Sequence, residues 1–149
     1  VYKRQAYLGR INAQLTRSAA LNPGKLRRAE QGIGVHTAHG RHEPAAMTAE
    51  GLDALIQEQL LLDDALRSAA HLFVEVARAQ PFEDGNKRTA IFAANSYLIG
   101  QETGLLMAVP HDDADPTVSR EFHDQLARAY VFGETGPVVE ALVLHNSLQ

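Results

Sequence analysis

Residues 80–90 read Gln80-Pro81-Phe82-Glu83-Asp84-Gly85-Asn86-Lys87-Arg88-Thr89-Ala90, the densest polar cluster in the chain. Apolar residues recur at helical spacing on both sides of it: Leu66, Ala69, Ala70, Phe73 and Ala77 before, then Ala90, Ile91, Ala94 and Leu98 after. Two core helices joined by a charged loop are therefore expected. The small residues of the second helix predict close packing at the centre, and a stop is expected near Gly100 or Gly104.

Working outward, Leu8, Ile11, Leu15 and Ala19 predict a first helix that stops at Asn22-Pro23-Gly24, because the residue before a proline is pushed out of the α region. Gly32 to Pro44 alternates glycines with Ile33, Val35 and three histidines, which predicts a short hairpin, the one candidate for β-structure. Thr48 is placed to cap a helix carrying Leu52, Leu55, Ile56 and Leu60. Beyond an acidic turn from Pro110 to Pro116, Thr117 can cap a helix with Val118, Phe122, Leu126 and Ala129. Gly133 to Pro137 introduces a last helix through Leu142 and His145. The fold class is all-α, an irregular helical bundle with one small β-hairpin, in a single domain over residues 1–149.

Composition narrows the function. The chain has 149 residues, 45% of them hydrophobic and 21% charged, with no apolar run approaching the roughly 20 residues of a spanning helix. Fourteen Lys and Arg against eighteen Asp and Glu give a net charge of −4, which argues against nucleic acid as the partner. Without cysteine there is neither a disulfide nor a thiolate zinc site, and no signal segment opens the chain, a pattern that predicts a cytoplasmic protein. Val1 in place of methionine predicts an N-terminally truncated domain. Val1-Tyr2-Lys3-Arg4-Gln5 is also the translation of GTG TAT AAG AGA CAG, the end of a common sequencing adaptor, so residues 1–5 are set aside from functional reasoning as candidate adaptor-derived residues.

Taken residue by residue, the 80–90 loop has an ordinary reading: Asp84-Gly85 makes a turn, Asn86 caps the next helix, and Lys87 and Arg88 are surface charges. Taken together, a glycine ahead of a helix start aims unpaired N–H groups and the positive end of the helix dipole at one spot, which attracts phosphate. Lys87 and Arg88 in that first turn oppose the dipole unless an anion compensates both. Asp84 beside them offers the hard oxygen that Mg²⁺ prefers. The unit reads as a nucleotide-phosphate cradle.

The same loop resembles the signature of the Fic/Doc (Fido-domain) proteins, His-Pro-Phe-x-Asp/Glu-Gly-Asn-Gly-Arg. Pro81, Phe82, Asp84, Gly85 and Asn86 match it, and Asn86-Lys87-Arg88-Thr89-Ala90 follows the Doc branch, with Gln80 where the family has its histidine. Pro23-Gly24-Lys25-Leu26-Arg27 before the hairpin and Pro44 after it look like the approach to the family's flap, and the likeness covers about residues 15 to 145. It implies transfer from ATP to a hydroxyl of a target protein, of AMP in most members or of the terminal phosphate in Doc. Asp84 would then hold Mg²⁺, Gly85 and the following amides would form the anion hole, and Asn86 would orient the phosphate. Arg88 would bind the distal phosphates, Lys87 would reach phosphate, and Phe82 would anchor the loop in the core. Gly32, Ile33, Gly34, Val35 and His36 would form the target-docking flap. Ile91 stands where many members carry a second arginine, and with Lys87 it tilts the expectation slightly toward phosphate transfer.

Gln80 stands at the catalytic position, where the family histidine acts as general base, a contribution of about 10²–10⁴ in rate. A glutamine cannot take that proton near neutral pH, though its amide can orient a hydroxyl. Three functions are therefore weighed: an impaired or altered transferase, a nucleotide-binding pseudoenzyme acting as a regulatory or protein-binding module, and a metal protein using His36, His39 and His42. Residues three apart in an extended hairpin point to opposite faces, which favours polar flap residues over a metal site. His111 with Asp112, Asp113 and Asp115 reads as a solvated turn more than as a Ca²⁺ site. Some members of the family carry an inhibitory Ser/Thr-x-x-x-Glu-Gly/Asn helix. Thr117 to Glu121 has that spacing but is followed by Phe122, so an inhibitor is expected from upstream or from an antitoxin-like partner in trans.

Overall fold

The computed structural model describes residues 4–148, so Val1, Tyr2 and Lys3 of the adaptor reading lie outside the described residues. Six helices and one hairpin follow in the order α1 (Arg4–Leu15), β1 (Val35–Thr37), β2 (Gly40–His42), α2 (Ala49–Gln59), α3 (Ala65–Ala79), α4 (Asn86–Gly100), α5 (Pro116–Phe132) and α6 (Thr135–Ser147) among these residues. This is the all-α bundle with a small hairpin that the apolar periodicity predicts. No helix among the described residues is long and apolar enough to cross a membrane.

The core is organised around α3, which packs against α2, α4, α5 and α6. Asp64 caps it, its side chain accepting from the Arg67 N–H at 3.1 Å, and Ala69, Ala70, Phe73, Val74, Val76 and Ala77 are fully buried along it. Alanines are buried on both packed helices, Ala69, Ala70 and Ala77 on α3 and Ala90, Ala93 and Ala94 on α4, and such small side chains let the two backbones approach closely. The Phe73 ring stands 6.4 Å from that of Phe122, tying α5 to the same core. Burial of a phenylalanine of this kind is worth about 3–5 kcal/mol, judged by its removal.

Several ends differ from the sequence reading. Helix α1 stops at Leu15, one turn before Ala19, which is exposed. Thr16 ends it: its hydroxyl bonds back to the Asn12 carbonyl at 2.8 Å, competing with the backbone for that acceptor. The buried stripe of α1 is accordingly Leu8 and Asn12, continued by Thr16, while Ile11 and Leu15 are half-buried. Helix α5 is capped by Asp115 rather than Thr117. Asp115 accepts from both the Thr117 N–H and its hydroxyl, and Pro116 suits the first helical position, where no backbone donor is needed. Thr48 caps α2 as expected, accepting from the Gly51 N–H at 3.0 Å.

The hairpin pairs Val35 with His42, His36 with Arg41 and Thr37 with Gly40. A further β-bridge, absent from the sequence reading, joins Leu26 to Phe82, and the Arg27 N–H donates to the Pro81 carbonyl at 2.9 Å. That bridge fastens the segment preceding the hairpin to the loop between α3 and α4.

Candidate functional site

The loop between α3 and α4 is held from below. Gln80 ends α3 in the left-handed region, at φ 48° and ψ 54°, which costs a non-glycine residue about 1–3 kcal/mol unless its surroundings fix it. Arg27 does much of that fixing. Its residue is 4% exposed, and its Nε donates to the Gln80 carbonyl at 2.7 Å, Nη1 to the Gln31 carbonyl at 2.8 Å and Nη2 to the Pro44 carbonyl at 3.1 Å. Burial draws its guanidinium below the ordinary arginine value. One side chain thus joins the loop to both ends of the flap segment.

Asn12 is the second support. Its Nδ2 donates to the Asp84 carbonyl at 2.8 Å and to the Thr89 hydroxyl at 3.1 Å, while its Oδ1 accepts from the Gly24 N–H at 3.0 Å. Gly85 then turns the chain into α4 at φ 70°, and a Cβ there would lie 2.6 Å from Thr16 Cγ2, so only glycine fits. No side chain caps the start of α4. Asn86, 4% exposed, is spent inside the loop. Its Oδ1 accepts from the Phe82 N–H at 2.8 Å, and its Nδ2 donates to the Phe82 carbonyl at 2.9 Å and to Gln80 Oε1 at 3.1 Å. Phe82 is buried, the core anchor expected of it. Glu83 is held by Asn22 and Gln31, whose hydrogen bonds keep its carboxyl below the usual range.

Above the loop lies a cleft of about 970 Å³, within the size range of small-molecule sites. Its floor is Gln80 and Glu83 through Arg88, so Asp84, Gly85, Asn86, Lys87 and Arg88 all meet there, and one wall is the flap residues Ile33, Gly34, Val35 and His36. Gly32 is exposed and outside the lining. The Arg88 Nη2 stands 3.5 Å from Asp84 Oδ2 with both side chains about half exposed, which leaves carboxylate oxygens and guanidinium donors open to a ligand. Ile91 packs against the core instead of lining the cleft.

The other wall is α5, through Arg120, His123, Asp124, Leu126, Ala127 and Tyr130. Sequence reasoning missed it, because it followed only the apolar side of that helix. The signal was the polar set Arg120, His123 and Asp124 at spacings of three and four, the helical periodicity on the face opposite Phe122 and Ala129. Tyr130 closes the back. Burial raises its hydroxyl to about 12, partly offset by a hydrogen bond from the Gln80 side chain. The Gln80 Nε2 also donates to the Ala77 carbonyl at 2.6 Å, so the residue, 7% exposed, has both ends of its amide engaged.

The three flap histidines go separate ways. His36 Nε2 lies 2.6 Å from Arg41 Nη1, His39 Nε2 lies 2.6 Å from Asp124 Oδ1, and His42 Nε2 donates to the Arg78 carbonyl at 2.6 Å while its ring stacks on Tyr130. Among the described residues no group of three or more His, Asp or Glu side chains is arranged to hold a metal. In the 110–116 turn, Asp112 accepts from the Ala114 N–H, Asp113 meets His111 and Asp115 caps α5.

The chain belongs to the Fic/Doc family: the model of that family, described as Fic/DOC, matches residues 4–98. The match runs from α1 through the flap and the loop into α4, and overlaps the stretch read from the sequence between residues 15 and 98. No curated protein matches the chain. Members of the family generally transfer AMP or phosphate to target proteins, so a transferase is the coarse reading of the fold.

Proposed function

We propose that this protein binds ATP with Mg²⁺ in the cleft and transfers AMP or the terminal phosphate to a hydroxyl of a target protein, slowly, because Gln80 stands at the position of the family's base. The observation that carries the reading is the uncapped start of α4 opening into the cleft beside Lys87, Arg88 and Asp84. Backbone donors, two cations and one hard carboxylate are the donor set that a metal-bound polyphosphate needs, and Mg²⁺ is commonly held by one or two carboxylates with the rest of its shell from phosphate and water. Asp84 would hold that ion, which supplies neutralisation of phosphate charge. Gly85 and the amides of the first turn stabilise the oxygen charge developing at phosphorus, Arg88 binds the distal phosphates and Lys87 reaches the same charge.

Asn86 acts through the loop, its side chain fixing the backbone that carries those amides. The flap presents β1, whose outer edge can take a target segment as an added strand, positioning its hydroxyl for attack. A protein acceptor, an antitoxin-like inhibitor acting in trans and a cytoplasmic setting complete this reading.

One observation favours a second reading. With its amide bonded to Ala77, Asn86 and Tyr130, Gln80 supplies shape and no proton acceptor, as in a nucleotide-binding pseudoenzyme acting as a regulatory or protein-binding module. Mass spectrometry of lysate proteins incubated with the protein, ATP and Mg²⁺ separates the two. Adducts of AMP or phosphate mass support transfer; ATP binding without any adduct supports the pseudoenzyme.

A further inference from the structure

We propose that His123, on the α5 wall, is the group that takes the proton from the attacking hydroxyl. The inference rests on the transferase reading above and identifies a base that the loop itself does not contain.

Transfer needs an unprotonated acceptor in the cleft, and the cleft offers few. Glu83 is held by Asn22 and Gln31, Asp84 faces Arg88 and Asp124 is bonded to His39, so each carboxylate is already engaged by a partner. Two histidines line the cavity, His36 and His123. The Arg41 guanidinium can only donate, so the bond from its Nη1 occupies the lone pair of His36 Nε2.

His123 is arranged the opposite way. Its Nδ1 lies 2.7 Å from the Ser119 carbonyl, which can only accept, so Nδ1 carries the hydrogen and Nε2 holds the lone pair. No bond to Nε2 is present among the described residues, and the side chain is exposed in the cleft. An imidazole whose tautomer is fixed by a backbone carbonyl, with its far nitrogen open, is the arrangement a general base requires.

The titratable and charged groups that line the same cleft are Arg120 and Asp124 on α5, His36 on the flap, and Glu83, Asp84, Lys87 and Arg88 across the floor. Tyr130, the partner of Gln80, lies seven residues further along α5, about 10 Å at the helical rise. A hydroxyl served by His123 therefore enters along the α5 wall rather than beside Gln80. As it attacks, its O–H bond breaks and the proton passes to Nε2. Its oxygen forms the new bond to phosphorus, and the bond from phosphorus to the leaving oxygen breaks. The electron pair leaves with pyrophosphate if AMP moves, or with ADP if the terminal phosphate moves, and the imidazolium returns its proton to that group or to water.

The test uses the full chain with Mg²⁺ and ATP labelled at the α or γ phosphate, lysate proteins as acceptors, and four forms: parent, His123→Gln, Gln80→His and the double variant. His123→Gln is expected to lose about 10²-fold or more of the transfer while calorimetry shows ATP affinity within about threefold of the parent. In the Gln80→His background the same change should cost less than about fivefold, since a second base is then present. The acid limb of the parent's rate profile should vanish in His123→Gln, and the His123 ring resonances should move when ATP with Mg²⁺ is titrated in. Transfer by His123→Gln at the parent rate, ring resonances indifferent to ATP, or a parent that binds ATP without transferring any label overturns the proposal. A parent that fails to bind ATP by calorimetry overturns the cradle itself, and the proposal with it.

Discussion

Arg27 Nε donates to the Gln80 carbonyl at 2.7 Å, so a buried cation whose three side-chain hydrogen bonds all end on backbone carbonyls holds the left-handed residue that opens the loop. Replacing Arg27 with methionine keeps the volume and strands three acceptors. The expected loss is about 3 kcal/mol or more in urea unfolding, with weaker ATP binding in the fraction that stays folded. Arg27→Lys should recover part of the stability and little of the binding, because a single ammonium cannot span three carbonyls in the guanidinium geometry.

Arg88 is half exposed and, among the described residues, its one ion pair is with Asp84, so Arg88→Ala should leave the fold intact. ATP affinity is expected to fall about tenfold or more by calorimetry. Binding equal to that of the parent would remove the phosphate role from this loop.

Gln80→His is expected to raise label transfer from ATP, by up to about 10²–10⁴ where the parent has no working base and by less where His123 already serves as one, since Asp84, Gly85 and Arg88 line the same cleft. Labelling at the α and γ phosphates identifies the group that moves. If neither label moves faster while ATP still binds, the pseudoenzyme reading takes the lead.

Glu83 links the loop to Asn22 and Gln31, and those bonds lower its carboxyl below the ordinary value of 4.5. A carboxyl depressed on folding stabilises the native state above its unfolded value, and the contribution disappears as pH falls through the folded one. Amide protection factors in the 80–88 loop, corrected for the intrinsic slowing of exchange in acid, should therefore fall below about pH 4.5, and Glu83→Gln should make them less sensitive to acid.

Tyr130 predicts the opposite limb. Its hydroxyl, raised by burial from 10 to about 12, favours the folded state below pH 10, and that preference is lost as pH climbs from 10 to 12. The loss across this window is about 2–3 kcal/mol. Tyr130→Phe should flatten it in alkaline denaturation, at the cost of the bond to Gln80.

The elements built on apolar periodicity were legible in the sequence: α2 to α6 and the hairpin fall where spacing and punctuation put them. What escaped was polar and long-range. Asn12 in α1 and Thr16 just past its end occupy buried positions, so a hydrophobic template passes over them and runs the helix on to Ala19. Arg27 reads as a surface charge until the chain brings it beneath Gln80, and His123 reads as the polar side of an amphipathic helix until the flap closes a cleft over it. The loop residues were visible because their order is itself unusual. Their supports lie 53 and 72 residues away, where no local pattern marks them.

Asn12 and Arg27 lie on one side of the exposed connection between α2 and α3, and the loop they hold lies on the other. Cutting the chain near Leu61, which is 75% exposed, would place the two halves of the cradle on separate polypeptides. The half that carries Gln80 and Gly85 would then lack the hydrogen bonds of Arg27 to the Gln80 carbonyl and of Asn12 to the Asp84 carbonyl. Continuity of the chain across that exposed connection is therefore what keeps the loop and its supports in one molecule.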